Sequence, residues 1–118
     1  MDLTEVTFDD ARPFDGYGPG FFRVGGAVVR GAVLLHAGGL SGWAGPADAA
    51  PLVALADRVD VILFGTGAEV AHAPPALRDA VEAAGIGLEV MRTPAACRTF
   101  NVLLGEGRRV AAAVLPVA

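Results

Sequence analysis

Four residues near the start of one helical segment carry side chains suited to anion chemistry: Thr93, Cys97, Arg98 and Asn101. Thr93-Pro94 reads as a helix start, a hydroxyl N-cap followed by proline in the first turn. Backbone N–H groups and the helix dipole at such an end attract anions. Arg98 would add a guanidinium fit for bidentate contact. A plainer reading stands beside this one. Thr93 is then only the cap, and Cys97, Phe100, Asn101 and Leu104 share one helix face. That stripe predicts Cys97 as a small buried apolar residue with an inert thiol. Arg98 falls elsewhere on the wheel, open to an ion pair or to a ligand or partner.

A second candidate is Gly65-Thr66-Gly67, which ends the apolar, β-branched run at 59–64. Such a run reads as a buried strand. Open α/β sheets bind ligands outside the carboxyl ends of their strands, and glycines let the backbone approach a ligand closely. The segment lacks the full G-x-G-x-x-G pattern and the phosphate-loop lysine, so a plain strand-to-loop turn is the alternative. In a parallel sheet this loop and the start of the 93–104 helix lie at the same edge. Gly65, Thr66, Gly67, Thr93, Arg98 and Asn101 would then line one crevice for a small anionic ligand.

The other reactive residue types form no set. His36 and His72 sit far apart, each expected in a loop, without acidic or thiol neighbours at ligand spacing, so no metal site is expected. Ser41 lacks the G-x-S-x-G nucleophile elbow. No catalytic residue and no cofactor are expected, and the chain leans away from being an enzyme. Tyr17, in a glycine-rich loop expected over 14–20, and Trp43 are the aromatics expected to meet a protein partner. Core packing is the alternative for both.

These residues need elements to position them. An edge strand is expected over 4–8 and a turn over 9–13. The Gly25-Gly26 pair between β-prone runs predicts a hairpin whose second strand continues over 27–35. Residues 36–43 read as a loop. Asp48 is a plausible N-cap for a helix to about 58, with Leu52, Leu55, Ala56 and Val59 at helical spacing. Pro74-Pro75 opens a second helix that Gly85 stops. Strands are expected over 86–91 and 110–115, with the third helix between them. Strands alternating with helices call for a parallel or mixed sheet covered by helices. The fold class is thus α/β, one domain over 1–118 with an N-terminal β-hairpin.

The motifs Tyr17-Gly18-Pro19-Gly20-Phe21-Phe22-Arg23-Val24, Val61-Ile62-Leu63-Phe64-Gly65-Thr66-Gly67 and Thr93-Pro94-Ala95-Ala96-Cys97-Arg98-Thr99-Phe100-Asn101 resemble the Mth-like domain family. The resemblance extends through residues 102–104 and 106–110, spans nearly the whole chain and keeps the motif order. Its bacterial and archaeal members are mostly uncharacterised; eukaryotic relatives include an adipogenesis-associated protein and a mitochondrial complex I assembly factor. The resemblance implies a three-layer fold around a central mixed sheet and no established enzyme activity. The expected function is a non-catalytic binding or assembly-type protein, with the anion crevice or an undiscovered enzyme as alternative.

Composition narrows the partners. Of 118 residues, 53% are hydrophobic and 19% charged, which fits a globular body. All nine basic residues are arginine, the net charge is −4, and only Arg108-Arg109 are adjacent cations. Nucleic-acid binders need a basic face, so none is expected to bind. One cysteine excludes an intrachain disulfide. The apolar stretch 24–35 is cut by Arg30 and by glycines, so no membrane insertion is expected. The acidic N-terminus lacks the apolar run of a signal peptide, which predicts a cytoplasmic location. A protein partner, a homo-oligomer or a small anion remain as the expected contacts.

Overall fold

Apolar residues alternate with one another rather than with polar ones along the central strands, so both faces of the main sheet are covered. The computed structural model describes residues 11–118 and the backbone of Val6–Thr7. Its strands and helices run β1 (Val6–Thr7), β2 (Phe14–Gly18), β3 (Phe21–Val24), β4 (Ala27–Arg30), β5 (Val33–His36) and β6 (Gly39–Gly42). They continue α1 (Ala50–Val53), β7 (Val61–Gly65), α2 (Pro75–Ala83), β8 (Gly87–Met91), α3 (Thr93–Gly105) and β9 (Val110–Val114). The large sheet has the order β1-β6-β5-β9-β7-β8, and β2-β3-β4 form a small antiparallel sheet. β9 pairs parallel with β7 and antiparallel with β5, so the large sheet is mixed.

Successive strand residues point to opposite faces. Leu63, Val110, Ala112 and Val114 join Ala96, Cys97 and Phe100 of α3 and the inner side of the small sheet, including Phe14 and Phe22. Ile62, Phe64, Ala111 and Ala113 face the other way, against Leu52 of α1 and Leu77 and Val81 of α2. The three-layer expectation holds.

The Gly25-Gly26 hairpin forms as expected, with both φ angles positive (+57° and +82°), the geometry of a two-residue primed turn. Gly85, at φ +82°, follows α2 and halts it. Other expectations are corrected. The stretch 27–35 is not one strand: Gly31, at φ +86°, turns the chain out of the small sheet, and β5 begins a place in the large one. Within 36–43 lies strand β6, paired antiparallel with β5, which also puts His36 on a strand rather than in a loop. Residues 14–18 of the expected glycine-rich loop are strand β2. Asp48 is no cap; α1 covers only 50–53, with Ala49 at its N-cap position. Beyond it the chain tightens into turns bonded three residues back, Leu55 to Leu52 and Arg58 to Leu55. The burial of Leu52, Leu55 and Val59 still follows their spacing. At the N-terminus, Val6–Thr7 is the edge strand beside β6. Thr4, Glu5, Phe8, Asp9 and Asp10 lie outside the described residues.

Candidate functional site

Parallel pairing of β7 with β8 and β9 brings the ends Gly65, Met91 and Val114 side by side. The sequence-predicted residues therefore do converge in part. Gly65, Thr66, Gly67 and Thr93 meet at this edge, and the chain's own atoms fill the space between them. The Gly67 N–H donates to the Thr93 Oγ1 (2.9 Å), and the Thr93 hydroxyl donates to the Leu115 carbonyl (2.5 Å). The Thr93 N–H donates to the Gly67 carbonyl (2.9 Å), and the Leu115 N–H to the Gly65 carbonyl (2.9 Å). Thr66 donates its N–H to the Met91 carbonyl (3.0 Å) and its hydroxyl to the Glu69 carbonyl (2.5 Å).

Thr93 is thus neither a cap nor a free hydroxyl. It is the first residue of α3, with Arg92 at the N-cap position, and is fully buried. Its side chain staples the β7 loop to the segment after β9. Farther along, the Val117 carbonyl accepts the Gly20 N–H (2.9 Å). The chain after β9 accordingly lies across the strand ends where a ligand was expected.

Gly65 owes its place to closeness. A Cβ there would lie 2.7 Å from Val114 Cγ1, 2.8 Å from Thr93 Oγ1 and 3.1 Å from Thr93 Cα. No larger residue lets β7, β9 and α3 meet this tightly.

Asn101 stands apart from the other predicted ligands. Its Oδ1 accepts the Phe14 N–H (2.8 Å) and its Nδ2 donates to the Phe14 carbonyl (2.9 Å). The amide thereby acts as a backbone partner for the start of β2, tying the small sheet to α3. Arg98 is exposed, and its side chain makes no hydrogen bond or ion pair among the described residues. Cys97 is buried in the core, as its helix face predicts; desolvation pushes its thiol up to about 12, against a smaller lowering by Arg98. Such a thiol is protonated and unreactive at neutral pH.

The two predicted interface aromatics separate. Tyr17 is 41% exposed on β2, whereas Trp43 is only 6% exposed. Trp43 packs edge-on against Phe64, with ring centroids 5.7 Å apart, and its Nε1–H donates to the Asp48 carbonyl (2.9 Å). The expectation that Trp43 faces a partner is therefore replaced by a core role: its apolar rings fill the α1/α2 layer, and a backbone carbonyl meets its one polar atom. Among the described residues, no group of three His, Cys, Asp or Glu side chains is placed to hold a metal ion. Among them too, no helix is long and apolar enough to cross a membrane.

Residues 14–115 match the sequence profile of a family described as "Protein of unknown function (DUF498/DUF598)". An uncharacterized protein of Rhodobacter capsulatus is 53% identical over 113 residues, covering 96% of this chain and 91% of that one. The mouse protein NADH dehydrogenase (ubiquinone) 1 alpha subcomplex assembly factor 3 is 40% identical over 62 residues. That match covers 52% of this chain and 34% of the mouse protein, so most of the assembly factor's length lies outside the match. Among solved structures, a Bartonella henselae protein described as an outer membrane protein superposes with a TM-score of 0.85 at 37% identity, covering 94% of this chain and 99% of that one. A Bordetella pertussis protein described as a Mth938-like domain gives 0.76 at 28% identity, covering 98% and 92%.

Proposed function

We propose that this chain, which belongs to the DUF498/DUF598 family of proteins of unknown function, works as a non-catalytic binding or assembly-type protein. The observation that carries the reading is the commitment of Thr93. Its hydroxyl serves Gly67 on one side and Leu115 on the other, so the most reactive-looking part of the sequence is a structural staple. The relatives named as assembly factors support the same reading. Tyr17 is the contact residue we assign to a protein partner or a second copy of the chain, because an exposed tyrosine offers a rigid ring and a hydrogen-bonding tip. The single buried thiol suits a reducing compartment, and we place the protein in the bacterial cytoplasm.

Native mass spectrometry of the protein purified gently from its host tests this. A homo-oligomer or a bound second chain is expected, lost in Tyr17→Asp at an unchanged melting temperature. A bare monomer in both proteins would overturn the reading.

A second reading keeps a small anion at Arg98, since Gly65, Thr66, Gly67, Thr93 and Asn101 spend their polar groups on the chain itself. It is favoured by Arg98, an exposed guanidinium on α3 without a partner among the described residues. It requires a small-molecule mass on the wild type that disappears in Arg98→Ala.

A further inference from the structure

The opposite end of the large sheet is built differently. There the starts of β7 and β9 lie beside the turn joining β5 to β6. A cavity of about 220 Å³ opens at this end, with Val59, Leu104 and Val110 among its apolar lining. Three arginines also line it: Arg58 from the turn before β7, and Arg108 and Arg109 from the turn between α3 and β9. Among the described residues, no acidic side chain lines it.

Arg109 lies 3.4 Å from Asp60, both well exposed, so solvent screens that pair. Arg58 and Arg108 have no ion pair or side-chain hydrogen bond among the described residues. The Arg58 guanidinium lies over the β5–β6 turn: a Cβ built on Gly38 would stand 3.4 Å from its Nη1. Arg58 also lines an adjoining cavity of about 340 Å³ together with His36 and Ser41. The carbonyl end of α3 points toward this region with about half a negative charge, which Arg58 and Arg108, without ion pairs among the described residues, outweigh even with Arg109 offset by Asp60. In a chain of net charge −4, this cluster is a local positive site.

The geometry points to a binding site here for a small amphipathic anion, an acidic headgroup on a compact apolar body. Arg58, Arg108 and Arg109 surround the headgroup, the arrangement in which guanidiniums hold phosphate or carboxylate oxygens. Val59, Leu104 and Val110 receive the apolar body, which an inorganic anion would leave in contact with water. The site shares no residue with the crevice at the other end of the sheet, and it stands whether or not the assembly reading does.

The test is an amide NMR titration of the full chain with phenyl phosphate, inorganic phosphate, benzoate and benzyl alcohol. Phenyl phosphate is expected to shift the signals of Gly38, Gly107, Arg108 and Val110 and to leave Gly67 and Ala95 in place. Its ring should tighten binding about tenfold over inorganic phosphate. Benzoate binding more tightly than phenyl phosphate would keep the site and make its headgroup a carboxylate. The R58A/R108A variant should weaken binding at least about tenfold, the loss of charge-assisted contacts, at a near-unchanged melting temperature. If that variant does not fold, R58Q/R108Q keeps two of the three methylenes of each stem and reads the same loss. Shifts at Gly67 instead of Gly38, no shift with either anion, or equal binding of neutral benzyl alcohol would each overturn the proposal.

Discussion

Where β7 and β9 end, hydroxyls, amides and carbonyls from three segments turn toward one another. Where the same two strands begin, arginines face a cavity lined largely by apolar side chains. Both ends contain the short loops from which α/β proteins build sites. The path of the neighbouring chain separates them. At the finishing end, the chain after β9 crosses the strand tips, takes the Gly65 carbonyl and the Thr93 hydroxyl, and occupies the crevice itself. At the starting end, the 107–109 turn enters β9 without crossing over, so the side chains of Arg108 and Arg109 stay at the rim. The carboxyl-end rule for ligands assumes an open crevice at a switch in strand order. A tail that fills the crevice removes that premise.

If the finishing end is a staple, damage there should cost stability first. Gly65→Ala should have the largest effect, about 3 kcal/mol, because the added methyl meets the Thr93 backbone as well as two side chains. Urea unfolding reads it, and an unchanged midpoint would mean that the close approach of β7, β9 and α3 is loose. Thr93→Val should cost about 2 kcal/mol by leaving the Gly67 N–H and the Leu115 carbonyl without their partner. Thr93→Ser should recover most of that loss, which separates the hydroxyl from the methyl.

Asn101→Ala should cost about 1.5 kcal/mol through the two Phe14 backbone groups. Amide exchange should then quicken in β2 before it does in β9. Cys97 adds a pH dependence on the α3 side of the sheet. Its thiol rises from an ordinary 9.0 to about 12 on folding, so the folded state holds the proton more tightly. The Cys97 contribution to stability should be flat below pH 9 and fall between pH 9 and 12, and Cys97→Ala should remove that fall. The smallest effect belongs to the starting end. Arg58→Ala and Arg108→Ala should each stay within about 0.5 kcal/mol of the parent, as exposed side chains without partners do. A larger loss at either arginine would erase the contrast between the two ends.

The second half of the fold is legible in the sequence. α2, β8, α3 and β9 are signalled by prolines at helix starts, a glycine stop and short apolar runs, each a local signal. The first half resists for reasons that are also local. Gly39-Leu40-Ser41-Gly42 is half glycine, and only its partner β5 makes it a strand. The 27–35 run looks continuous because every residue in it but Arg30 and Gly31 is apolar; the break depends on a positive φ at Gly31. Site residues show the same division. Cys97 is readable from its helix face. The tie between Asn101 and Phe14 spans 87 positions and leaves no mark in either neighbourhood. Arg108-Arg109 stands out in sequence as the lone pair of adjacent cations, but Arg58 joins it only through the sheet.

The position of β9 also bears on how the molecule is made. Of the six strands in the large sheet it is last in the chain, yet it stands between β5 and β7. During synthesis those two strands emerge early and cannot pair with each other in their final places. Each keeps an unpaired, apolar edge until 110–114 leaves the ribosome. A chain stopped before Val110 would therefore yield two separated halves of a sheet, a β1–β6–β5 piece and a β7–β8 piece, with open edges prone to pairing with other chains. The small sheet and α2 are complete well before that point, but the core they cover is closed by the final strand.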